Sequence, residues 1–445
     1  MGTIFIKAAQ LILSLSLLVV LHELGHFMFA RLFKTRVEKF YLFFNPWFSL
    51  FKMKKGETEY GIGWLPLGGY VKISGMIDES MDSEAMSQPP QPWEFRSKPA
   101  WQRLLIMLGG VMMNFLFAMV IYIGVLYAWG ESYLPTENVK YGIEVNEAGR
   151  QIGFRNGDKI LSVDNRYVEN FMKIIPAIVL DGGRTVQVER DGQKHDIQIN
   201  ESDLALFLKS KDLLTWRKPF DIHVGDVVKD SPAEKAGLEK GDVFLSIDGQ
   251  HFEYYDQFAE YLENKKNSNI ELNLLRDGNE IVKNVSVSDE GKLGFFPVFN
   301  NIDFIELATV KYGLLASIPA GIKHGIQTTT DYLKQFRLLF KREARAYESL
   351  GGFATIGSIF PATWNWFSFW NMTAFISIIL AIMNLLPIPA LDGGHVMFLL
   401  YELISGRKPG EKFMEYAQIT GMIILLALVL FANANDIIKL INGTF

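Results

Sequence analysis

Leu17-Leu-Val-Val-Leu-His-Glu-Leu-Gly-His-Phe-Met-Phe-Ala30 is an apolar stretch that carries two histidines and a glutamate. On a helix, His22 and His26 lie one turn apart on the same face with Glu23 beside them, and an H-E-x-x-H pattern of this kind supplies two metal ligands and a base. Each ionisable side chain inside a membrane-spanning run costs about 2.5 to 3.5 kcal/mol or more. Three such side chains so close together favour a bound metal ion. A satisfied polar cluster between helices is the alternative.

A third metal ligand is expected elsewhere, because a catalytic zinc usually takes three protein ligands and leaves one position open. The chain has no cysteine, so the ligands must be His, Asp or Glu. The segment Asn384-Leu-Leu-Pro-Ile-Pro-Ala-Leu-Asp-Gly-Gly394 ends a long apolar run, and its prolines break a helix near a carboxylate. We predict Asp392 as the third ligand and rank His395 below it. An aspartate that merely ends a helix is the alternative.

The composition indicates a membrane protein, because 49% of the residues are hydrophobic and they are concentrated in a few nearly uncharged stretches. A spanning helix needs about 20 apolar residues. We predict transmembrane helices at 1–33, 101–130, 363–395 and 417–440. The first apolar run continues through His22 to Ala30 without a small-residue cleavage site and is predicted to be retained. The net charge of -5 gives no reason to expect a nucleic-acid partner.

The distribution of lysine and arginine predicts the orientation. These residues are abundant between the first two spans and recur between the last two, so 34–100 and 396–416 are expected on the cytoplasmic side. The soluble stretch between the second and third spans then lies on the opposite side. The segment 301–362 is moderately apolar but interrupted by charges, which favours helices along the membrane surface.

An internal repeat organises the soluble stretch. Gly153-Phe-Arg-Asn-Gly-Asp-Lys-Ile-Leu-Ser-Val-Asp-Asn165 realigns with Gly237-Leu-Glu-Lys-Gly-Asp-Val-Phe-Leu-Ser-Ile-Asp-Gly249. Each copy is followed by alternating strand patterns around an Arg-Asp-Gly turn. We therefore predict two β-rich modules, at 138–215 and 216–300.

A substrate-binding element is predicted within the cytoplasmic region. Residues 59–71 alternate apolar residues with glycines, as in a β-hairpin that dips towards the membrane and accepts a further strand at its edge. The glycines in question are Gly61, Gly63, Gly68 and Gly69. A simple connecting hairpin is the alternative. Asn384 is a candidate for binding an extended substrate backbone, although packing against a neighbouring helix would also satisfy its amide.

The two motifs together resemble the site-2 protease family, which has H-E-x-x-H in the first span and N-x-x-P-x-P-x-L-D-G-G in a later one. Ser231-Pro-Ala-Glu-Lys-Ala-Gly-Leu-Glu-Lys-Gly-Asp242 resembles the PDZ domains of bacterial membrane and periplasmic proteases. Paired modules between the second and third spans are similar to those of one group within this family, the RseP type (regulator of sigma-E protease). Two departures stand out: Gly110-Val-Met-Met-Asn114 lacks the usual proline, and Gly351-Gly-Phe353 replaces a Gly-Pro-Ile-like segment.

The resemblance implies an α-helical polytopic membrane protein with four transmembrane helices, two inserted β-rich PDZ domains and a membrane-associated β-hairpin. It implies Zn2+ held by His22, His26 and Asp392, with Glu23 as the catalytic acid and base. The implied substrates are single-pass membrane proteins after a first cleavage, such as pre-trimmed anti-sigma factors or signal-peptide remnants, whose transmembrane segments are cut.

It also implies the bacterial inner membrane as the location, surrounded by lipids, with the active site near the cytoplasmic side. The PDZ domains would then be periplasmic and would contact the substrate ectodomain. Two other functional classes stay open on the residues alone: a catalytically silent membrane scaffold and a metal transporter that uses the intramembrane histidines.

Overall fold

The computed structural model describes residues 2–66, 68–76, 89–210, 212–299, 305–339, 341 and 351–441. The chain divides into two compact units. The first, called the helical unit below, comprises 1–130, 311–336 and 350–445. The second, the β unit, comprises 131–310 and 337–349.

The helices, numbered along the chain, are α1 (Gly2–Leu32), α2 (Ala100–Ala128), α3 (Glu147–Ile152), α4 (Ile174–Val179), α5 (Leu204–Lys209), α6 (Pro232–Lys235), α7 (Tyr255–Asn264), α8 (Leu314–Leu338), α9 (Phe353–Ser358), α10 (Trp366–Leu385), α11 (Asp392–Ser405) and α12 (Glu411–Ile441). Among the described residues, four helical stretches are long and apolar enough to cross a membrane: α1, α2, α10 and residues 412–441 of α12. The expected number of spans is therefore matched.

The end of α10 differs from the prediction that the third span runs to residue 395. Helix α10 stops at Leu385, and Leu386 adopts an extended backbone because a residue that precedes proline is excluded from the helical region. Asp392 is instead the first residue of α11. The segment 396–416, predicted as a cytoplasmic loop after the third span, is helical in its first part, because α11 continues to Ser405, where Gly406 at φ 68° ends the helix.

The helical unit contains a four-stranded sheet formed by β1 (Val37–Leu42), β2 (Phe44–Lys55), β3 (Thr58–Leu65) and β4 (Tyr70–Ile73), in the order β2-β3-β1-β4. Strands β2 and β3 form an antiparallel hairpin, whereas β1 pairs in parallel with β3 and antiparallel with β4. The prediction of a hairpin at 59–71 is therefore wrong. Strands β3 and β4 lie on opposite sides of β1, and β4 is the edge strand of the sheet that the described residues form.

The segment predicted to form surface helices contains α8, with Pro319 inside it, and the short α9. Residues 301–304, 340 and 342–350 of that region lie outside the described residues. The position of both helices relative to a membrane stays a prediction.

The β unit is built from β5 (Glu131–Tyr133), β6 (Ile143–Val145), β7 (Lys159–Val163), β8 (Thr185–Arg190), β9 (Gln193–Gln198), β10 (Leu214–Trp216), β11 (Ile222–Val227), β12 (Val243–Ile247), β13 (Asn269–Arg276), β14 (Asn279–Ser286), β15 (Phe295–Phe299) and β16 (Ala308–Val310). Its sheets have the orders β7-β8-β9, β10-β6, β14-β13-β12-β11-β15 and β16-β5. One apolar core surrounds Phe154 and Ile178, and a second surrounds Ile247 and Phe258.

The sequence repeat corresponds to a repeated ion pair in the β unit. Asp158 is fully buried and receives two hydrogen bonds from Arg190, at 2.7 and 2.7 Å. Asp242 is 1% exposed and receives two from Arg276, at 2.6 and 2.7 Å. Bidentate pairs of this kind are the strongest charge-assisted hydrogen bonds. Each copy of the repeat therefore ties its Gly-Asp turn to the arginine that precedes its Asp-Gly turn.

Candidate metal centre

Helices α1 and α2 approach each other closely at the H-E-x-x-H motif because both carry glycine there. A Cβ atom built on Gly25 would lie 2.2 Å from the carbonyl oxygen of Gly109. A Cβ on Gly109 would lie 2.6 Å from the carbonyl oxygen of Gly25. Small residues permit such backbone contact between spanning helices. The contact places the next residue of α2, Gly110, directly against the imidazoles of His22 and His26.

His22, His26 and Asp392 converge in the structure, and each offers a ligand atom within 4.8 Å of the others. The two imidazole Nε2 atoms are 3.2 Å apart, and they lie 3.1 and 3.3 Å from Oδ2 of Asp392. A tetrahedral zinc with ligand bonds of about 2.0 to 2.1 Å separates its ligand atoms by about 3.3 Å. The donor set and its spacing therefore fit a zinc ion.

The position of Asp392 depends on the loop between α10 and α11. Ala390 has φ 84°, and Leu391 is extended, so the chain reverses immediately before the aspartate. The two glycines after it let α11 pack on this loop, since a Cβ on Gly393 would lie 2.1 Å from the Leu386 carbonyl and one on Gly394 would lie 2.6 Å from Pro389. The Leu-Asp-Gly-Gly sequence thus combines the carboxylate with the close packing that holds it.

The outer nitrogen of each imidazole faces helix α2. His26 Nδ1 lies 2.8 Å from the carbonyl oxygen of Ile106. His22 Nδ1 lies 3.4 Å from Nδ2 of Asn114. The other ring nitrogen of His22, Nε2, lies 3.4 Å from Nδ2 of Asn384. Partners of the outer nitrogen determine the tautomer and the ring orientation of metal-binding histidines.

A cavity of about 570 Å³ opens on this cluster. Its lining combines the cluster with Glu23, with Asn114 and Asn384, with Gly68 and Gly69, and with all four residues of β4. His395 also lines the cavity but does not belong to the converging group of His22, His26 and Asp392.

The predicted glycine positions separate into two groups. Gly68 and Gly69 line the cavity. Gly61 and Gly63 lie in β3. A Cβ atom on Gly61 would lie 2.2 Å from the ring of Tyr41, and one on Gly63 would lie 2.1 Å from the carbonyl oxygen of Phe44. We therefore correct their prediction: these two glycines make room for neighbours within the sheet, because β3 is an interior strand.

Three features of the site were not predicted from the sequence. These are the contact of Gly110 with the imidazoles, the place of Asn114 beside His22, and the edge strand β4 along the cavity. Asn114 did offer a signal, as a polar residue within an apolar run. The other two depend on pairing between distant segments.

Tyr70 is the first residue of β4 and lines the cavity. Its hydroxyl donates a hydrogen bond of 3.0 Å to Oδ1 of Asn45. Burial raises the pKa of Tyr70, and the nearby Tyr41 and Glu59 raise it further. The hydroxyl therefore stays protonated and acts as a donor that ties β4 to the start of β2.

Comparison with known proteins places the chain among metalloproteases. The profile described as "Peptidase family M50" matches residues 10–428. A protein of Pasteurella multocida named as a zinc metalloprotease is 29% identical, over 97% of this chain and 98% of its own. The "Regulator of sigma E protease" of Haemophilus influenzae is 28% identical, over 96% of this chain and 98% of its own. A protein of Clostridium perfringens, also named as a zinc metalloprotease, is 28% identical over 96% of this chain and 97% of its own.

Proposed function

The chain belongs to peptidase family M50 and is a membrane-bound zinc metalloprotease of the site-2 type, and we propose that its zinc is held by His22, His26 and Asp392, with Glu23 as the catalytic acid and base. The observation that carries this proposal is the spacing of 3.1 to 3.3 Å among the three ligand atoms. Family membership decides against the silent scaffold and the metal transporter.

A zinc ion held by these residues supplies the Lewis acidity that makes water a nucleophile at neutral pH and polarises a peptide carbonyl. Glu23 follows His22 in α1 and lines the same cavity. It is therefore placed to take a proton from the attacking water and to return it to the leaving amine. His22, His26 and Asp392 act as fixed ligands, since the glycine contacts around them leave little freedom to move.

The edge strand β4 is the proposed binding element for an extended substrate. One side of β4 pairs with β1, and the strand also lines the cavity that contains Glu23. A peptide must leave its helical conformation to expose a carbonyl, and an unpaired strand edge stabilises the extended form through backbone hydrogen bonds. Gly68 and Gly69 lead into β4 and line the same cavity, and they are proposed to contact the substrate backbone. Asn384 is proposed to bind the substrate backbone near the ligand cluster.

The proposed substrates are transmembrane segments of single-pass membrane proteins that a first protease has already trimmed, as in regulated intramembrane proteolysis. The name of the Haemophilus influenzae relative supports this class. The proposed location is the bacterial inner membrane with the site near the cytoplasmic side, as the lysine and arginine distribution indicates. The modules at 138–215 and 216–300 are proposed to be periplasmic PDZ domains that screen substrate ectodomains.

Replacement of Glu23 by Gln tests the catalytic assignment. The full chain in lipid nanodiscs is incubated with a single-pass test substrate, and bound zinc is measured by mass spectrometry. We expect Glu23→Gln to retain zinc and to lose at least about 100-fold in cleavage rate, because it removes the acid and base but no ligand. Glu415→Gln, at an exposed position of α12, is the control. Unchanged cleavage by Glu23→Gln would refute the assignment.

A further inference from the structure

Asn114 is a buried polar side chain on an apolar helix, and the proposed reaction does not yet use it. It is 1% exposed, and it lines the cavity beside His22. Its Oδ1 atom has no hydrogen-bond partner within the part of the chain that the structure describes. A buried carbonyl without a hydrogen-bond partner is destabilising, so a donor for this oxygen is expected nearby.

The surroundings of His22 provide that donor. His22 Nε2 faces the ligand cluster, 3.1 Å from Asp392 and 3.2 Å from His26. When Nε2 offers its lone pair to a metal, the neutral ring carries its proton on Nδ1, which becomes a donor. The group at 3.4 Å from Nδ1 is the carboxamide of Asn114. A half-turn of that carboxamide exchanges its nitrogen and oxygen in nearly the same space, and the proton on Nδ1 selects the oxygen.

His26 shows the same arrangement with a backbone acceptor. Its Nε2 faces Asp392 at 3.3 Å, and its Nδ1 faces the carbonyl oxygen of Ile106 at 2.8 Å. Both acceptors, Ile106 and Asn114, belong to α2. Helix α2 therefore supplies the outer partner of each histidine, once from the main chain and once from a side chain.

We propose that Asn114 is a positioning residue that accepts the Nδ1–H hydrogen bond of His22 and thereby holds its Nε2 lone pair towards the zinc. The inference rests on the proposed function, since it assumes that His22 is a ligand. Removal of the acceptor takes away the partner that orients the Nδ1 donor and thereby releases the ring orientation. Loss of such an outer partner reduces metal affinity by about 10- to 100-fold.

The alternative role for the Asn114 side chain is structural, in the packing of α2 against α10. The hydrogen bond between these helices at this level runs from Ser377 Oγ to the main-chain oxygen of residue 114, at 2.7 Å. Any side chain at position 114 preserves that bond. Ser377→Ala removes it without changing the carboxamide, which makes Ser377→Ala a matched control for packing.

The experiment compares Asn114→Leu, Asn114→Asp, Ser377→Ala and His22→Ala in the full chain in nanodiscs. Zinc affinity is measured by competition with a chelator, and the Co2+-loaded proteins are compared by visible absorption, which reports ligand geometry. Leu has the same number of side-chain heavy atoms as Asn and the same branch at Cγ but offers no acceptor, whereas Asp keeps the acceptor oxygen. We expect Asn114→Leu to bind zinc about 10- to 100-fold more weakly with an altered Co2+ spectrum. Asn114→Asp and Ser377→Ala should retain the affinity and spectrum of the parent.

Parent-like affinity and spectrum in Asn114→Leu would overturn the inference, as would an equal loss in Ser377→Ala. If Asn114→Leu does not fold, Asn114→Asp decides: retained zinc supports the inference, and a tenfold loss in a folded protein overturns it. His22→Ala separates this result from the proposed function. If His22→Ala keeps its zinc, the ligand assignment itself fails; if His22→Ala loses zinc while Asn114→Leu keeps it, only the role of Asn114 fails.

Discussion

Replacing Gly110 by Ala is the sharpest test of the site geometry, because it adds one methyl group against both imidazoles. The new Cβ would lie 2.4 Å from His26 Nε2, 2.6 Å from His22 Cε1 and 2.8 Å from His22 Nδ1. Ordinary contacts of a Cβ atom begin at 3.4 Å, so the His26 ring would have to withdraw by about 1.0 Å. Ligand positions in metal sites tolerate only about 0.2 Å.

Moving α2 away from α1 would relieve this clash only by opening the close packing of the two helices. The backbones of α1 and α2 are already in contact at Gly25 and Gly109, one residue before Gly110 on α2. The displacement therefore falls on the side chains of the ligands. A misplacement of about 1 Å at a catalytic group costs about 100-fold in rate. We expect Gly110→Ala to lose at least about 100-fold in kcat/KM and to bind zinc more weakly.

The assay is cleavage of a single-pass test substrate by the full chain in nanodiscs, together with zinc stoichiometry and thermal unfolding. Gly124→Ala is the matched control, since it changes the same residue type on the same helix at a position with nothing within 4 Å of the added Cβ. Alanine is the better helix former by about 1 kcal/mol, so intrinsic propensity favours both variants. If Gly110→Ala cleaves within about threefold of Gly124→Ala, the close approach of α2 to the histidines is wrong.

The other predictions concern the ion pairs of the β unit and the metal. Asp242→Asn should destabilise the β unit by about 3 kcal/mol, because it breaks a buried bidentate pair with Arg276. The susceptibility of residues 131–310 to proteolysis in the full chain measures this loss. Asp226→Asn, which breaks the exposed Asp226–Lys240 pair, is the control. Burial raises the pKa of Asp242, but hydrogen bonds from Arg276 and the Glu239 N–H outweigh it and lower the pKa below 3.8. This stabilisation should therefore be complete above pH 3.8 and disappear as the pH falls below that value, and a proteolysis profile that is flat down to pH 2 would contradict it. Incubation with a zinc chelator should abolish cleavage, and added Zn2+ should restore it; cleavage that survives removal of the metal would contradict a zinc mechanism.

Several features of this protein follow from the sequence because they depend on residues close together along the chain. Apolar runs long enough to cross a membrane are local signals, and four such helices are present among the described residues. The H-E-x-x-H pattern needs only one turn of helix to place His22 and His26 on one face. The repeat in the β unit is equally local, since each buried Asp and its Arg lie within one module.

Only the tertiary structure decides what depends on pairing between distant segments. It alone places β4 beside β1 and, among the described residues, leaves the other edge of β4 unpaired, because strand order depends on contacts between distant segments. It alone shows that Asp392 begins a new helix, that Gly109 lies against Gly25, and that Gly110 lies against both histidines. A glycine in a sequence shows only that a side chain is absent, whereas the fold determines which neighbour packs against the glycine. For the same reason Asn114 is merely polar in the sequence and becomes the partner of His22 when α1 and α2 are packed together.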